Sequence, residues 1–125
     1  MEGIVSIVAA EDIEEHSLVT LDGNGEAKKT TAAGDNVFGV TQGGDVKTGE
    51  EVAVRTRGAT QCRMDGTGTN LAVEDKLMPG ADGKAVAHDG AGGSKFVGEV
   101  IVIQDGTADG EIGQCRLYAD RTQAS

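Results

Sequence analysis

His16 and His88 are the only histidines of the chain, and Ser6, Ser17, Ser94 and Ser125 are its only serines. Nucleophilic catalysis needs a serine or cysteine within hydrogen-bond reach of a base that a third group orients. No serine lies in a G-x-S-x-G elbow. His16 sits in the acidic run "EDIEEHS" and reads as a solvated residue. His88, in "AHDG", reads as a turn neighbour. Cys62 and Cys115 have no C-x-x-C spacing and no nearby histidine, which argues against a metal or redox motif. Two buried free thiols are the plainer reading, and a disulfide also fits. "DGNGEA" at Asp22, "DGTGTN" at Asp65 and "ADGK" at Asp82 resemble fragments of calcium loops. None carries the D-x-[DN]-x-[DN]-G pattern with its terminal glutamate, so hairpin turns explain them better. "GADGKAVAHDGAGG" lacks the G-x-x-x-x-G-K-[ST] of a phosphate loop. The expectation is therefore no catalytic residue, no cofactor site and no metal site.

Chemistry being absent from the motifs, the elements themselves carry the information. The 125 residues fit one domain, and aromatics are only Phe38, Phe96 and Tyr118. The core must be built from Val, Ile, Leu and Ala, and a monomer with so little bulk gains from partners. Twenty glycines without a collagen period point to many turns. The net charge of −10 argues against nucleic acid and anionic membrane surfaces as partners. No apolar run approaches the roughly 18 residues of a membrane span. "MEGIVSIVAA" lacks a basic n-region and runs straight into "EDIEE", so it does not read as a signal peptide. Synthesis in the cytoplasm is the expectation.

The pattern is strand, turn, strand. "SLVTL", "EAKKTT", "VFGVTQ" and "EVAVRTRG" read as strands, with "DGNG", "AAGDN" and "GGDVKTGE" between them. "ATQCRM" continues the sheet, and "AEDIEEHS" offers at most one helical turn. The sentence then repeats. "VEDKLM" matches "EEHSLV", "ADGKAV" matches "GNGEAK", "SKFVGEVIV" matches "NVFGVTQ", and "DGEIGQCRLY" matches "TGEEVAVRT". Gly25 falls on Gly83, Gly39 on Gly98, Gly49 on Gly110, Glu50 on Glu111 and Arg55 on Arg116. Two diverged meanders, about residues 11–58 and 72–118, form a single all-β domain: a small barrel or sandwich. Residues 1–10 read as an N-terminal extended arm, with a first strand as the other reading, and 119–125 as a polar tail.

These segments, taken together from residue 10 to 118, resemble the capsid cement, or head decoration, proteins of tailed phages. The resemblance rests on the spacing of Gly and Val and on turn placement; this chain is more acidic and has a longer loop at Asp65–Asn70. It implies a compact β-barrel or tulip-like sandwich with an N-terminal arm, a structural protein on the outside of the expanded head. There it would bind major capsid protein as a homotrimer at three-fold or quasi-three-fold points and clamp neighbouring subunits. A small β-domain of a tail, fibre or glycan-binding module is the alternative. β-Augmentation would give such a clamp affinity and register. The expected partner interface is Ile4, Val5, Ile7 and Val8 of the arm with Asp65, Thr67, Thr69 and Asn70 of the loop.

Overall fold

A computed structural model describes residues 3–91, 93–104 and 106–118. The expected tail, 119–125, lies outside the described residues. Ten strands make up the fold: β1 Ile4–Val8, β2 Leu18–Leu21, β3 Ala27–Lys29, β4 Gly39–Gln42, β5 Glu51–Arg55, β6 Gly58–Asp65, β7 Lys76–Pro79, β8 Ala85–Ala87, β9 Gly98–Val102 and β10 Asp109–Leu117. Among the described residues the one helical element is a single 3-10 turn, Ala81–Gly83. "AEDIEEHS" makes no helical turn. Ile13 instead exchanges backbone hydrogen bonds of 3.0 and 2.9 Å with Val46, and the Glu11 carboxylate accepts the Lys29 N–H at 2.7 Å.

The strand order of the first sheet is β1-β5-β4-β2-β3, and the second half closes as a ring, β6-β10-β9-β7-β8. Advancing each label of the first by five gives the second. The ring closes through a parallel bridge, Met64 to Ala85. The corresponding bridge of the first half, Ala9 to Ala27, is also parallel but lies just beyond the end of β1. The first unit is therefore an open sheet and the second a barrel.

The duplication holds residue by residue. Arg55 lies between Ile4 and Val40, and Arg116 between Ala59 and Glu99. Gly39 and Gly98 open β4 and β9, where a Cβ would collide with the carbonyl oxygen of Arg55 or Arg116. Only glycine lets these strands approach so closely. His16 and Glu74, unlike in chemistry, share a left-handed turn, with φ of 67° and 75°. Each donates its N–H to the third strand that follows it: His16 to Thr41 O in β4 at 3.0 Å, Glu74 to Val100 O in β9 at 2.8 Å.

Two readings of the sequence change in the light of this register. The repeat starts earlier than residues 11 and 72, because β1 and β6 hold equivalent places and each is entered by a left-handed glycine, Gly3 (φ 83°) and Gly58 (φ 87°). And Leu18 is the counterpart of Lys76, not of Leu77, since Leu18 pairs with Val40 and Lys76 with Glu99. The identical leucines drew the sequence match one residue out of step, which in a strand exchanges the two faces.

Of the two readings of the N-terminus, the structure has the strand. β1 pairs with β5 over five residues, and Ile7 packs against the buried cluster of Ala9, Ile13, Val19, Ala27, Val52 and Val54. The barrel interior holds Cys62, Met64, Leu77, Val100, Cys115 and Leu117. Leu18, Val37 and Val40 turn away from their own sheet and join that barrel cluster, while their neighbour Val19 stays inside the first unit. The seam is also hydrogen-bonded: Thr30 Oγ1 donates to Gly80 O at 2.9 Å, Gly83 N to Thr30 O at 3.1 Å, and Arg63 Nε to Glu15 O at 2.8 Å. Apolar burial at about 25 cal/mol per Å² holds the two units together, and these three hydrogen bonds tie them.

Candidate interaction surfaces

The fold spends its reactive side chains on its own turns. His88, Asp89 and Ser94 meet in one loop, but not as a relay. His88 Nδ1 accepts the Gly90 N–H at 2.9 Å, which leaves Nε2 to donate to the Ser94 carbonyl at 3.3 Å. The Ser94 hydroxyl donates to Asp89 at 2.8 Å and not to the imidazole. The ring stacks on Phe96 with centroids 4.2 Å apart. Both nitrogens thus staple backbone, and neither faces a nucleophile. The His16 imidazole lies 3.7 Å from the carboxylate of Glu15.

Cys62 and Cys115 are free and wholly buried. Contact with the Cys115 thiol and then burial push the Cys62 thiol well above the ordinary range, which disfavours the nucleophilic thiolate. The Asp-Gly loops use their carboxylates locally. Asp22 Oδ1 accepts the N–H groups of Asn24 at 2.8 Å and Glu26 at 3.0 Å. Asp65 Oδ1 accepts the Thr67 hydroxyl at 2.6 Å and its N–H at 2.9 Å. These bonds favour the charged form and hold both carboxyls below the usual range.

The structure puts the expected interface residues in two separate places. Ile4, Val5, Ile7 and Val8 lie on β1, one of the two edge strands of the first unit's sheet. Ile4 and Ile7 are half-buried, while Val5 and Val8 are 42% and 37% exposed. Gly3 O accepts from Thr56 N at 2.6 Å and Ala9 N donates to Glu50 O at 2.8 Å, so the odd residues face β5. Antiparallel alternation then turns the backbone groups of Ile4, Ser6 and Val8 to the far side, where among the described residues the one contact with another strand is the parallel bridge Ala9–Ala27 at the end of β1. That is an open edge of the kind that added strands use. Asp65, Thr67, Thr69 and Asn70 belong instead to the loop after β6 of the barrel. Asp65 is half-buried and the other three are exposed. Sequence reading overlooked Val73, Val102 and Ile112, three exposed apolar side chains of the second unit. Alternation along β9 would put Val102 inside with Gly98 and Val100, but a register shift beside it leaves its side chain outside.

No curated protein matches the chain. Among solved structures, the head fiber gp8.5 N base of bacteriophage phi29 has a similar fold, with a TM-score of 0.68 and 18% identity, over 96% of this chain and 97% of that one. The sequence matches the family described as phage cement protein from residue 1 to residue 117, and the chain belongs to that family.

Proposed function

We propose that this protein is a structural cement on the outer face of a phage head, where it binds major capsid protein as a homotrimer and clamps neighbouring subunits of the expanded shell. The observation that carries this reading is the family match over residues 1–117. The geometry agrees with it. Two β-units locked face to face make a stiff block, and the open edge of β1 with Val5 and Val8 beside it is a surface that strand addition can cover. The charge of −10 keeps unassembled protein apart in solution. The role is one of surface and rigidity, with no reaction.

A base for a head fibre is the second reading. It is favoured by the likeness to the phi29 head fiber base, which spans nearly the whole of both chains. Both readings put the protein on the head, and they differ in whether anything projects from it.

The test uses expanded shells stripped of this protein. Added protein is expected to pellet with them and to raise the temperature at which they rupture. Val5→Asp with Val8→Asp is expected to lose most of that binding with little change in the free protein's melting temperature. Shells that neither retain the protein nor gain heat tolerance would rule out the cement role.

A further inference from the structure

The duplicated arginines, Arg55 and Arg116, have different surroundings. Arg116 faces Glu99 across β9 and β10, and its guanidinium pairs with that carboxylate at 3.5 Å. Arg55 has Val40 at the equivalent place, a residue wholly buried in the seam between the units. No carboxylate of the described residues pairs with Arg55, which is half-buried. Lys28, Arg63 and Lys95 likewise make no ion pair among the described residues, and Arg63 is bonded to Glu15 O, so what sets Arg55 apart is its half-buried place at the seam.

Arg55 lines a groove of about 270 Å³ where the two units meet. Gln42, Gln61, Gln114 and His16 line it too, and no carboxylate does. Gln42 braces the floor, its amide nitrogen donating to Thr60 Oγ1 at 2.9 Å and Thr41 O at 3.1 Å. Gln61 and Gln114 stand directly opposite each other on β6 and β10, both exposed. Neither side-chain amide is bonded to another described residue. His16 Nδ1 is buried and has no hydrogen-bond partner among the described residues, while its Nε2 faces Glu15 at 3.7 Å.

A primary amide offers one acceptor and two donors, the complement of a peptide unit, and a guanidinium is the complement of a carboxylate. We propose that the groove is a docking site for an extended, carboxylate-bearing segment of the shell protein, with Arg55 taking the carboxylate and Gln61 and Gln114 its backbone. The identity of the partner rests on the cement reading; the chemistry of the site does not. Charge complementarity selects the occupant, because an acidic segment would be repelled by most of this molecule's surface and is accepted at this seam.

Two experiments run together test this. In the first, isotope-labelled protein is titrated with acetyl-Ser-Val-Glu-Val-Ser-amide and with its Gln counterpart. The NMR signals of Arg55 Nε–H and of the Gln61 and Gln114 amides are expected to shift with the Glu peptide, which should bind at least fivefold more tightly. Arg55→Gln, with an unchanged melting temperature, is expected to erase that preference. In the second, Arg55→Glu is expected to weaken shell binding at least tenfold, and Gln61→Ala with Gln114→Ala to weaken it less.

No preference between the peptides, with Arg55→Glu binding shells as the wild type does, overturns the proposal and leaves the cement reading standing. A localised peptide response in a protein that never binds shells does the reverse. If Arg55→Glu instead dissociates an oligomer of the free protein in sedimentation, the groove holds a second copy of this chain, and the proposed occupant is wrong.

Discussion

Leu18 and Val40 stand in the first unit where Lys76 and Glu99 stand in the second. The backbones around them are the same, yet the first pair is wholly buried and the second faces water. Lys76 reaches the Tyr118 hydroxyl at 3.3 Å, and Glu99 pairs with Arg116. One scaffold has thus been given two outer faces. The apolar one docks the first unit against the barrel. The charged one ends the series, since a second apolar face of this kind would offer the seam to another molecule and invite stacking. The outer face, more than the fold, decides what each copy touches.

The sharpest way to break the equivalence is at the paired glycines. Gly39→Val and Gly98→Val both force a side chain into a backbone carbonyl of the neighbouring strand. Each is expected to cost about 4 kcal/mol or more, seen as loss of soluble protein or a collapsed urea midpoint. Tolerance at one site and not the other would show that the copies are not equivalent. Next in size is the seam. Leu18→Ala is expected to cost about 2–4 kcal/mol in urea unfolding, and Lys76→Ala at the matching position less than about 0.5 kcal/mol. Equal costs would contradict the account of the two faces.

The edge strands sharpen the comparison by hydrogen exchange. Val8 and Arg63 hold equivalent places on β1 and β6, but Arg63 N donates to His16 O at 2.8 Å and Val8 N faces the open edge. The Val8 amide is expected to exchange at least about tenfold faster than that of Arg63.

The smallest effect is in acid. Asp22, in the first unit, is held low by the Glu26 and Asn24 N–H groups, and Asp65, in the second, by the Thr67 hydroxyl and N–H. A carboxyl whose folded pKa is depressed contributes stability above its unfolded value of about 3.9, and loses it as pH falls through the folded value. The urea midpoint should therefore drop below about pH 4, and Asp22→Asn and Asp65→Asn should each flatten that limb by a similar, modest amount.

Turns and the later strands of each unit are legible in the sequence because identical residues do identical work: Gly39 with Gly98, Arg55 with Arg116. The first strand of each unit is not. "IVSIVA" and "ATQCRM" share no pattern, because β1 is an open edge over a small interior while β6 runs along the seam, with Arg63 tied to the first unit. Val5 and Val8 could be named as interface candidates from the apolar, β-prone run they belong to, but their role as an open edge depends on pairing with β5, some 45 residues away. The isolation of Arg55 is equally hidden. It depends on whether Val40 or a glutamate lies across the strand, and that register is set by the whole sheet. The apolar outer face of β2 and β4 was masked for the same reason, since the identical Leu18 and Leu77 point to opposite sides of their sheets.

Cryo-electron microscopy of heads with and without this protein tests the central claim directly. The account predicts two-unit density on the outer surface, seated over junctions between shell subunits and missing from the deficient heads. Density confined to the tail or the head interior, or heads unchanged by its loss, would contradict it.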